Sequence, residues 1–224
     1  MVKYDGKQGM WNAQRKTKMG ELEFNIEKVL DELKKKRKYF SSEADFQLAL
    51  AMQIERLYGD SSVICEYVPE YKSEVEKLYS RIHIDILFCK ENIPIELKYR
   101  TKKADLEDIH YKIALSNQGA HDEGSYGFWR DVSRIGEYIT KMDAPKGFAV
   151  FLTNDGWYGN PDYSNCKVDY KQFNLKETSP GRRWGYVSNK NKELNNIPKT
   201  NAKWIDWDEE AGFICYIAEI DNEN

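Results

Sequence analysis

The chain has 224 residues, of which 41% are hydrophobic and 32% are charged, and its net charge is −3 at pH 7. This composition suffices for one sizeable folded domain and excludes global disorder. The small negative charge differs from that of a basic nucleic-acid coat protein, although local basic patches can still bind DNA. No apolar run approaches the roughly 18 residues that a membrane-spanning helix needs. Because residues 1–20 are polar and lack the apolar segment of a secretory leader, we expect a cytoplasmic protein without a membrane partner.

Two helices are predicted in the first part of the chain. Residues 21–39 carry apolar side chains at three- and four-residue spacing, which indicates an amphipathic helix. A second helix is expected to begin at Ser42, which forms a capping-box pattern with Asp45, and to continue to Tyr58 before Gly59 ends it.

Three strands are predicted next, at residues 63–68, 79–89 and 93–99. The second and third alternate between apolar and polar side chains, as half-buried strands do. The short polar segment 89–93 between them predicts a hairpin turn.

The remainder of the chain predicts one further helix and two strands. Residues 126–142 have the spacing of an amphipathic helix, and residues 148–152 form an apolar run typical of a strand buried on both faces. Residues 156–203 are polar and predict long loops or a small excursion. A closing strand is expected at residues 213–220.

These elements predict a single α/β domain over residues 1–224. Within it we expect an N-terminal helical extension at 1–39, a core at 40–158, a loop-rich excursion at 159–203 and a closing strand region at 204–224.

Three polar residues in the predicted hairpin carry the chemical argument. Glu96 and Lys98 are two residues apart in one strand and therefore point the same way, and Asp85 lies in the preceding strand. If the strands pair, two carboxylates and an ammonium group converge. Carboxylates that lie close together repel each other unless a cation separates them, and oxygen ligands favour a hard ion such as Mg²⁺. The lysine can orient or deprotonate a water, or stabilise charge on a phosphate, so the group predicts metal-assisted phosphodiester hydrolysis.

An acidic residue two positions before a lysine is a common pattern in this chain. Glu32 and Lys34 repeat the Glu-Leu-Lys triplet in a lysine-rich predicted helix with no strand before it. The alternative interpretation of Asp85, Glu96 and Lys98 is a salt-bridged group on a solvated sheet face.

Asp85, ten intervening residues and then Glu96-Leu97-Lys98 resemble the motif of the PD-(D/E)xK nuclease superfamily, the restriction-endonuclease-like enzymes. The segment 95–101 resembles the third core strand of that family, and 42–47 resembles its first core helix. One position departs from the motif, because Ile84 stands where the family is named for a proline.

The similarity extends further along the chain. Residues 128–134 followed by 147–155 resemble the helix and fourth strand of bacterial members, so that the similar region runs from about residue 40 to residue 158. The resemblance implies an α/β fold with a restriction-endonuclease-like αβββαβ core, in which a central mixed sheet is flanked by helices.

The resemblance also implies roles for particular residues. Asp85 and Glu96 would bind Mg²⁺, or Mn²⁺ in its place, with the Leu97 carbonyl as a further ligand. Lys98 would act on the attacking water, and Glu43 would be an outer or second-metal carboxylate. Asp85, Glu96 and Lys98 are therefore the expected catalytic residues.

Other polar residues admit plainer interpretations. An acid in the first turn of a helix, such as Glu43, stabilises the helix dipole without any catalytic role, although Glu43 and Gln47 share one helix face. Asp131 and Arg134 are three residues apart, which predicts a structural ion pair. Gln118 either lines the cleft or lies in an ordinary loop, and we prefer the loop.

We therefore expect a metal-dependent endonuclease that cuts double-stranded DNA, with sequence specificity of the restriction type. Residues 98–103 and 156–203 are candidate DNA contacts. Cutting both strands with one site per chain favours a homodimer with twofold symmetry. The alternatives are a repair or phage-defence nuclease guided by DNA structure, and a DNA-binding member of the same fold that has lost catalysis.

Overall fold

A computed structural model describes residues 23–75, 82–108, 111–164, 166 and 169–222. The protein is mixed α/β, and the described part contains three α-helices: α1 (Ile26–Lys34), α2 (Glu43–Tyr58) and α3 (His121–Met142). None of these helices combines the length and apolar character needed to cross a membrane. The strands are β1 (Val63–Tyr67), β2 (Ile84–Phe88), β3 (Ile93–Arg100), β4 (Ala104–Glu107), β5 (Lys112–Leu115), β6 (Lys146–Thr153), β7 (Gly181–Val187), β8 (Lys190–Ile197), β9 (Asn201–Asp208) and β10 (Phe213–Asp221).

A central mixed sheet of six strands organises the molecule, in the order β1-β2-β3-β6-β10-β9. Strands β3 and β6 are parallel, with Glu96 beside Ala149, and the other neighbours are antiparallel. A parallel pair needs a long crossover, and the chain between β3 and β6 supplies it with α3. Two separate hairpins, β4-β5 and β7-β8, lie outside this sheet.

Each face of the sheet is covered by a different set of helices. Helices α1 and α2 pack their apolar side chains, including Phe46 and Leu50, on one face. Helix α3 and the β7-β8 hairpin cover the other face, where Phe128 and Val132 are fully buried. The apolar periodicity of each helix thus decides which side of it meets the sheet.

Most predicted elements are present, with shifted ends. The capping pattern of α2 is confirmed, because the Ser42 hydroxyl accepts a 3.1 Å hydrogen bond from the Asp45 N–H. The first helix is shorter than predicted. Of the predicted strand 79–89, residues 79–81 lie outside the described residues, and β2 begins at Ile84. Helix α3 begins at His121, five residues before the predicted start at 126.

The polar segment 156–203 contains strands that its composition did not predict. Both β7 and β8 lie in it, and β9 begins near its end. The turn between β7 and β8 consists of Ser188 and Asn189, both with positive φ (51° and 61°), as a two-residue hairpin turn of type I′ requires. Buried Arg183 fixes the hairpin against the preceding loop by donating to the carbonyl groups of Gln172, Glu177 and Ser179. The side chains on the exposed face of the hairpin are polar, and for this reason the sequence did not predict its strands.

Candidate active site

Strand β3 extends past the end of β2, and two carboxylates occupy the edge that is left open. Strand β2 pairs with β3 only as far as Ile95. Beyond that point the Leu97 N–H donates to Asp85 Oδ2 at 2.7 Å, and the Tyr99 N–H donates to Glu43 Oε2 at 2.9 Å. Backbone N–H groups that leave water need acceptors. The unequal strand lengths therefore fix Asp85 and Glu43 along one edge.

Asp85 lies beside Glu96 on the neighbouring strand. Ile86 and Ile95 are the last paired residues, and Asp85 and Glu96 come next along the two strands, close enough that the charge of Asp85 contributes to the raised pKa of Glu96. Gln47 on α2 holds the backbone of β2 in place by donating to the Asp85 carbonyl oxygen at 2.6 Å. The expected hairpin thus brings the two carboxylates together.

The side chains of Glu96 and Lys98 point toward helix α3. Glu96 is 1% exposed, and its Oε2 accepts a 2.8 Å hydrogen bond from Arg134 Nη2. The Lys98 Nζ lies 2.7 Å from Asp131 Oδ2. Asp131 Oδ1 and Arg134 Nη2 are themselves 2.8 Å apart. The ion pair predicted on α3 is confirmed, and each of its members also contacts a residue of the motif.

Burial dominates the acid–base behaviour of the two carboxylates. Removal from water raises the pKa of Asp85 to about 6, although a hydrogen bond from the backbone of β3 opposes the change. Burial also raises the pKa of Glu96 well above its ordinary range, and the charge of Arg134 offsets only part of this effect. Two adjoining carboxylates with raised pKa values form an arrangement that an additional cation stabilises.

The oxygen atoms that could bind a metal ion differ in their hydrogen-bond partners. Glu96 Oε1 is buried and has no hydrogen-bond partner among the described residues. The Leu97 carbonyl oxygen accepts from Lys98 Nζ at 3.1 Å and retains its second lone pair. Within the part of the chain that the structure describes, no three His, Cys, Asp or Glu side chains form a group that could hold a metal ion. Mg²⁺ commonly binds through one or two carboxylates and keeps several waters, so Asp85 and Glu96 suit it chemically.

An open cleft of about 520 Å³ lies next to Lys98. Its walls are formed by the start of α2, by β3, by α3 and the loop before it, and by the β7-β8 hairpin. They include Glu43, Arg100, Gln118, Arg130 and Lys192. The hairpin is fixed to α3 because the Ser188 N–H donates to Asp122 Oδ2 at 3.0 Å. The cleft therefore combines side chains from 98–103 and from 156–203, the two segments expected to contact DNA.

Gln118 belongs to this cleft, against our preference for an ordinary loop position. It lines the wall near Lys98, and its Oε1 accepts a 3.3 Å hydrogen bond from the Thr101 N–H. For Asp131 and Arg134, the sequence predicted only a structural ion pair with each other. Their three-residue spacing was the available signal, but nothing in the sequence indicates that this face of α3 packs on Glu96 and Lys98.

Comparison of the chain with models of protein families, with curated proteins and with solved structures finds no match. A fold alone would in any case not determine the activity.

Proposed function

We propose that this chain is a metal-dependent endonuclease that hydrolyses phosphodiester bonds of double-stranded DNA, built on a restriction-endonuclease-like core. The observation that carries the proposal is the proximity of Asp85, Glu96 and Lys98 on β2 and β3, with Lys98 in the wall of an open cleft that holds more basic than acidic side chains. The chain order α2-β1-β2-β3-α3-β6 supports it, because this is the αβββαβ order that the resemblance implies, with the separate β4-β5 hairpin inserted between β3 and α3.

The charges at the site are consistent with a divalent cation. Four carboxylates, those of Glu43, Asp85, Glu96 and Asp131, face the cationic groups of Lys98 and Arg134 in this part of the fold. Asp85 and Glu96, with the Leu97 carbonyl, would hold Mg²⁺ or Mn²⁺, and Glu43 would be an outer carboxylate. When bound, such an ion supplies Lewis-acid polarisation of a phosphoryl oxygen and lowers the pKa of a water molecule.

Lys98 acts in this proposal as a cation. Burial by itself would lower the pKa of the Lys98 ammonium, but the charges of Asp131 and Glu43 outweigh burial and hold this pKa above its ordinary value. A protonated lysine cannot accept a proton from water near neutral pH. Lys98 therefore orients the attacking water or stabilises negative charge on the phosphate, and proton abstraction is left to another group.

The walls of the cleft favour a polyanionic substrate. Arg100, Arg130 and Lys192 border it together with Lys98, against the carboxylates of Glu43 and Glu123. Phosphate contacts from Lys and Arg provide most of the sequence-independent affinity for DNA. Cleavage of both strands of a duplex would require two copies of this site, which a twofold homodimer would provide.

The decisive experiment is cleavage of long unmodified genomic DNA with Mg²⁺ or Mn²⁺ by wild type, Asp85→Asn and Lys98→Ala. We expect wild type to cut and both variants to lose at least about 100-fold in rate, because Asp85→Asn weakens the metal site and Lys98→Ala removes the cation that acts on the water or the phosphate. Discrete fragments would support sequence specificity of the restriction type, and a smear would favour a nuclease guided by DNA structure.

The matched control is Lys34→Ala, which removes the lysine of the second Glu-Leu-Lys triplet, located on α1. This variant should cut like wild type. Calorimetric titration with Mn²⁺ should detect binding to wild type and a large loss of affinity in Asp85→Asn. Absence of cleavage together with Mn²⁺ binding that ignores Asp85→Asn would overturn the proposal, whereas DNA binding without cleavage would favour a non-catalytic member of the fold.

A further inference from the structure

Helix α3 places a buried carboxylate directly on the motif lysine. Asp131 is 1% exposed, and its Oδ2 is 2.7 Å from Lys98 Nζ. Its Oδ1 is 2.8 Å from Arg134 Nη2, so a cationic group lies close to each oxygen of the buried carboxylate. A carboxylate held in this way has little freedom to follow a moving lysine, and therefore defines where the ammonium group lies.

Two weaker neighbours surround the same ammonium group. Lys98 Nζ donates to the carbonyl oxygen of Leu97 at 3.1 Å, and Glu43 Oε1 is 3.8 Å away. Glu43 is 44% exposed on its side chain, whereas Asp131 is 1% exposed. Charge attraction is stronger away from water, so Asp131 dominates the placement of Nζ. A lysine side chain has a flexible four-carbon stem and reaches one position reliably only when such a partner holds it.

The spacing on α3 matches the spacing on β3. Asp131 meets Lys98, while Arg134, three residues later, meets Glu96, two residues earlier. The helix therefore runs antiparallel to the strand, and about 4.5 Å of helix rise lies opposite about 6.7 Å of strand. One turn of a rigid helix thus supplies a charge partner to each of these two motif residues.

Stability alone gives a weak reason for this arrangement. A buried ion pair is often no more stabilising than well-packed apolar residues, because both charges lose their hydration. The neighbouring positions of the same helix, Phe128, Val132 and Ile135, are apolar and fully buried on the sheet. The charged pair at positions 131 and 98 therefore stands apart from its apolar neighbours on the helix, and the charges point to a requirement of the site.

We infer that Asp131 is a positioning residue, which aims the Lys98 ammonium group at the reacting phosphate or its water. The inference rests on the proposed nuclease function. Asp131 acts through Lys98 and does not itself touch the substrate.

The test compares Asp131→Asn with wild type in steady-state DNA cleavage. Asparagine keeps the shape of the side chain and removes its charge. We expect kcat to fall about 10- to 100-fold while KM for DNA stays within about twofold, because the ammonium group is misplaced and the cleft walls are intact. The matched control is Asp208→Asn, a buried carboxylate paired with Lys38 at 3.4 Å on the other side of the fold, which should leave both constants unchanged.

A second readout needs neither metal nor activity. Nitrogen-15 NMR of the metal-free protein should show slow hydrogen exchange at the Lys98 ammonium, assigned with Lys98→Arg. This slow exchange should disappear in Asp131→Asn and persist in Asp208→Asn. If Asp131→Asn does not fold, Asp131→Glu keeps the charge but shifts it by a methylene, and should lower kcat without changing KM.

The outcomes separate the two proposals. Cleavage by wild type and equal kcat in Asp131→Asn would overturn the positioning role and leave the nuclease proposal standing. Slow exchange that survives in Asp131→Asn would overturn it as well. Absence of any cleavage by wild type would instead overturn the nuclease function, and the positioning role with it.

Discussion

The two faces of the six-stranded sheet are packed with different chemistry. On the face covered by α1 and α2, β3 presents Ile93, Ile95, Leu97 and Tyr99, which meet an apolar core. On the face covered by α3, the same strand presents Glu96 and Lys98. Arg134 of the helix pairs with Glu96, and Asp131 pairs with Lys98. Strand β3 therefore meets an apolar core on one side, and on the other side it meets a buried ionic cluster set within a second apolar core.

This difference separates the apolar residues that stabilise the fold from the charged residues that form the candidate site. Apolar burial stabilises a sheet wherever the shapes fit, and substitutions of similar volume are tolerated. Buried charges stabilise only as complete pairs, and each member left alone costs several kcal/mol. We therefore expect substitutions on the two faces to differ in kind, with stability alone changing on one face and stability together with site chemistry on the other.

The largest expected effect on stability comes from breaking the ionic face. Arg134→Ala leaves the buried Glu96 carboxylate without its 2.8 Å partner, so the free energy of unfolding should fall by about 3–5 kcal/mol. Urea denaturation at pH 8 measures this change.

The double variant Arg134→Ala/Glu96→Gln provides the control for that measurement. Because glutamine carries no charge, the double variant should be more stable than Arg134→Ala alone. A loss below about 1 kcal/mol in the single variant would contradict the paired arrangement, since Glu96 would then be stable as the neutral acid.

The apolar face is probed by Leu50→Ala on α2. Leu50 is fully buried, so its truncation should lower the free energy of unfolding by about 2–5 kcal/mol through lost contacts and a cavity. The slow exchange of the Lys98 ammonium and the affinity for Mn²⁺ should remain at wild-type values when measured well below the unfolding transition. A change in either property would show that the two faces are coupled and do not respond to substitution independently.

Local patterns predicted much of the fold. The capping box at Ser42, the alternation in β3 and the uninterrupted apolar run of β6 each depend on near neighbours in sequence, and each element is present. Strands β7 and β8 escaped prediction because their exposed faces are polar, and because their identity depends on a turn with positive φ at Ser188 and Asn189.

Local sequence patterns predicted only part of the candidate site. Asp85, Glu96 and Lys98 lie on adjacent strands joined by a tight turn, so their proximity follows from the sequence. Their partners on α3 lie more than 30 residues further along the chain. Which face of α3 meets β3 is set by packing across the whole sheet, and no local pattern at Asp131 or Arg134 expresses it.

The smallest expected effect concerns a second acid on the α3 side, at the rim of the sheet. Asp155 Oδ2 is 2.7 Å from His121 Nε2, and Oδ1 is 2.9 Å from Lys102 Nζ. Burial by itself would raise the pKa of Asp155, but these two partners and the Trp157 N–H outweigh it, so this pKa lies below its ordinary value. Glu96, more deeply buried, shifts in the opposite direction.

The variant Asp155→Asn tests this difference between Asp155 and Glu96, because its stability relative to wild type should depend on pH. A carboxyl group with a lowered pKa stabilises the folded state above its unfolded pKa of about 3.9 and loses this contribution as the pH falls through the lowered value. The variant should therefore be about 1–2 kcal/mol less stable than wild type at pH 6, and the gap should close as the pH falls toward 3. Thermal unfolding of both proteins across this range checks the sign. A gap that widens on acidification would mean that Asp155 behaves like Glu96, and that burial governs the acids at the rim as it does those in the interior.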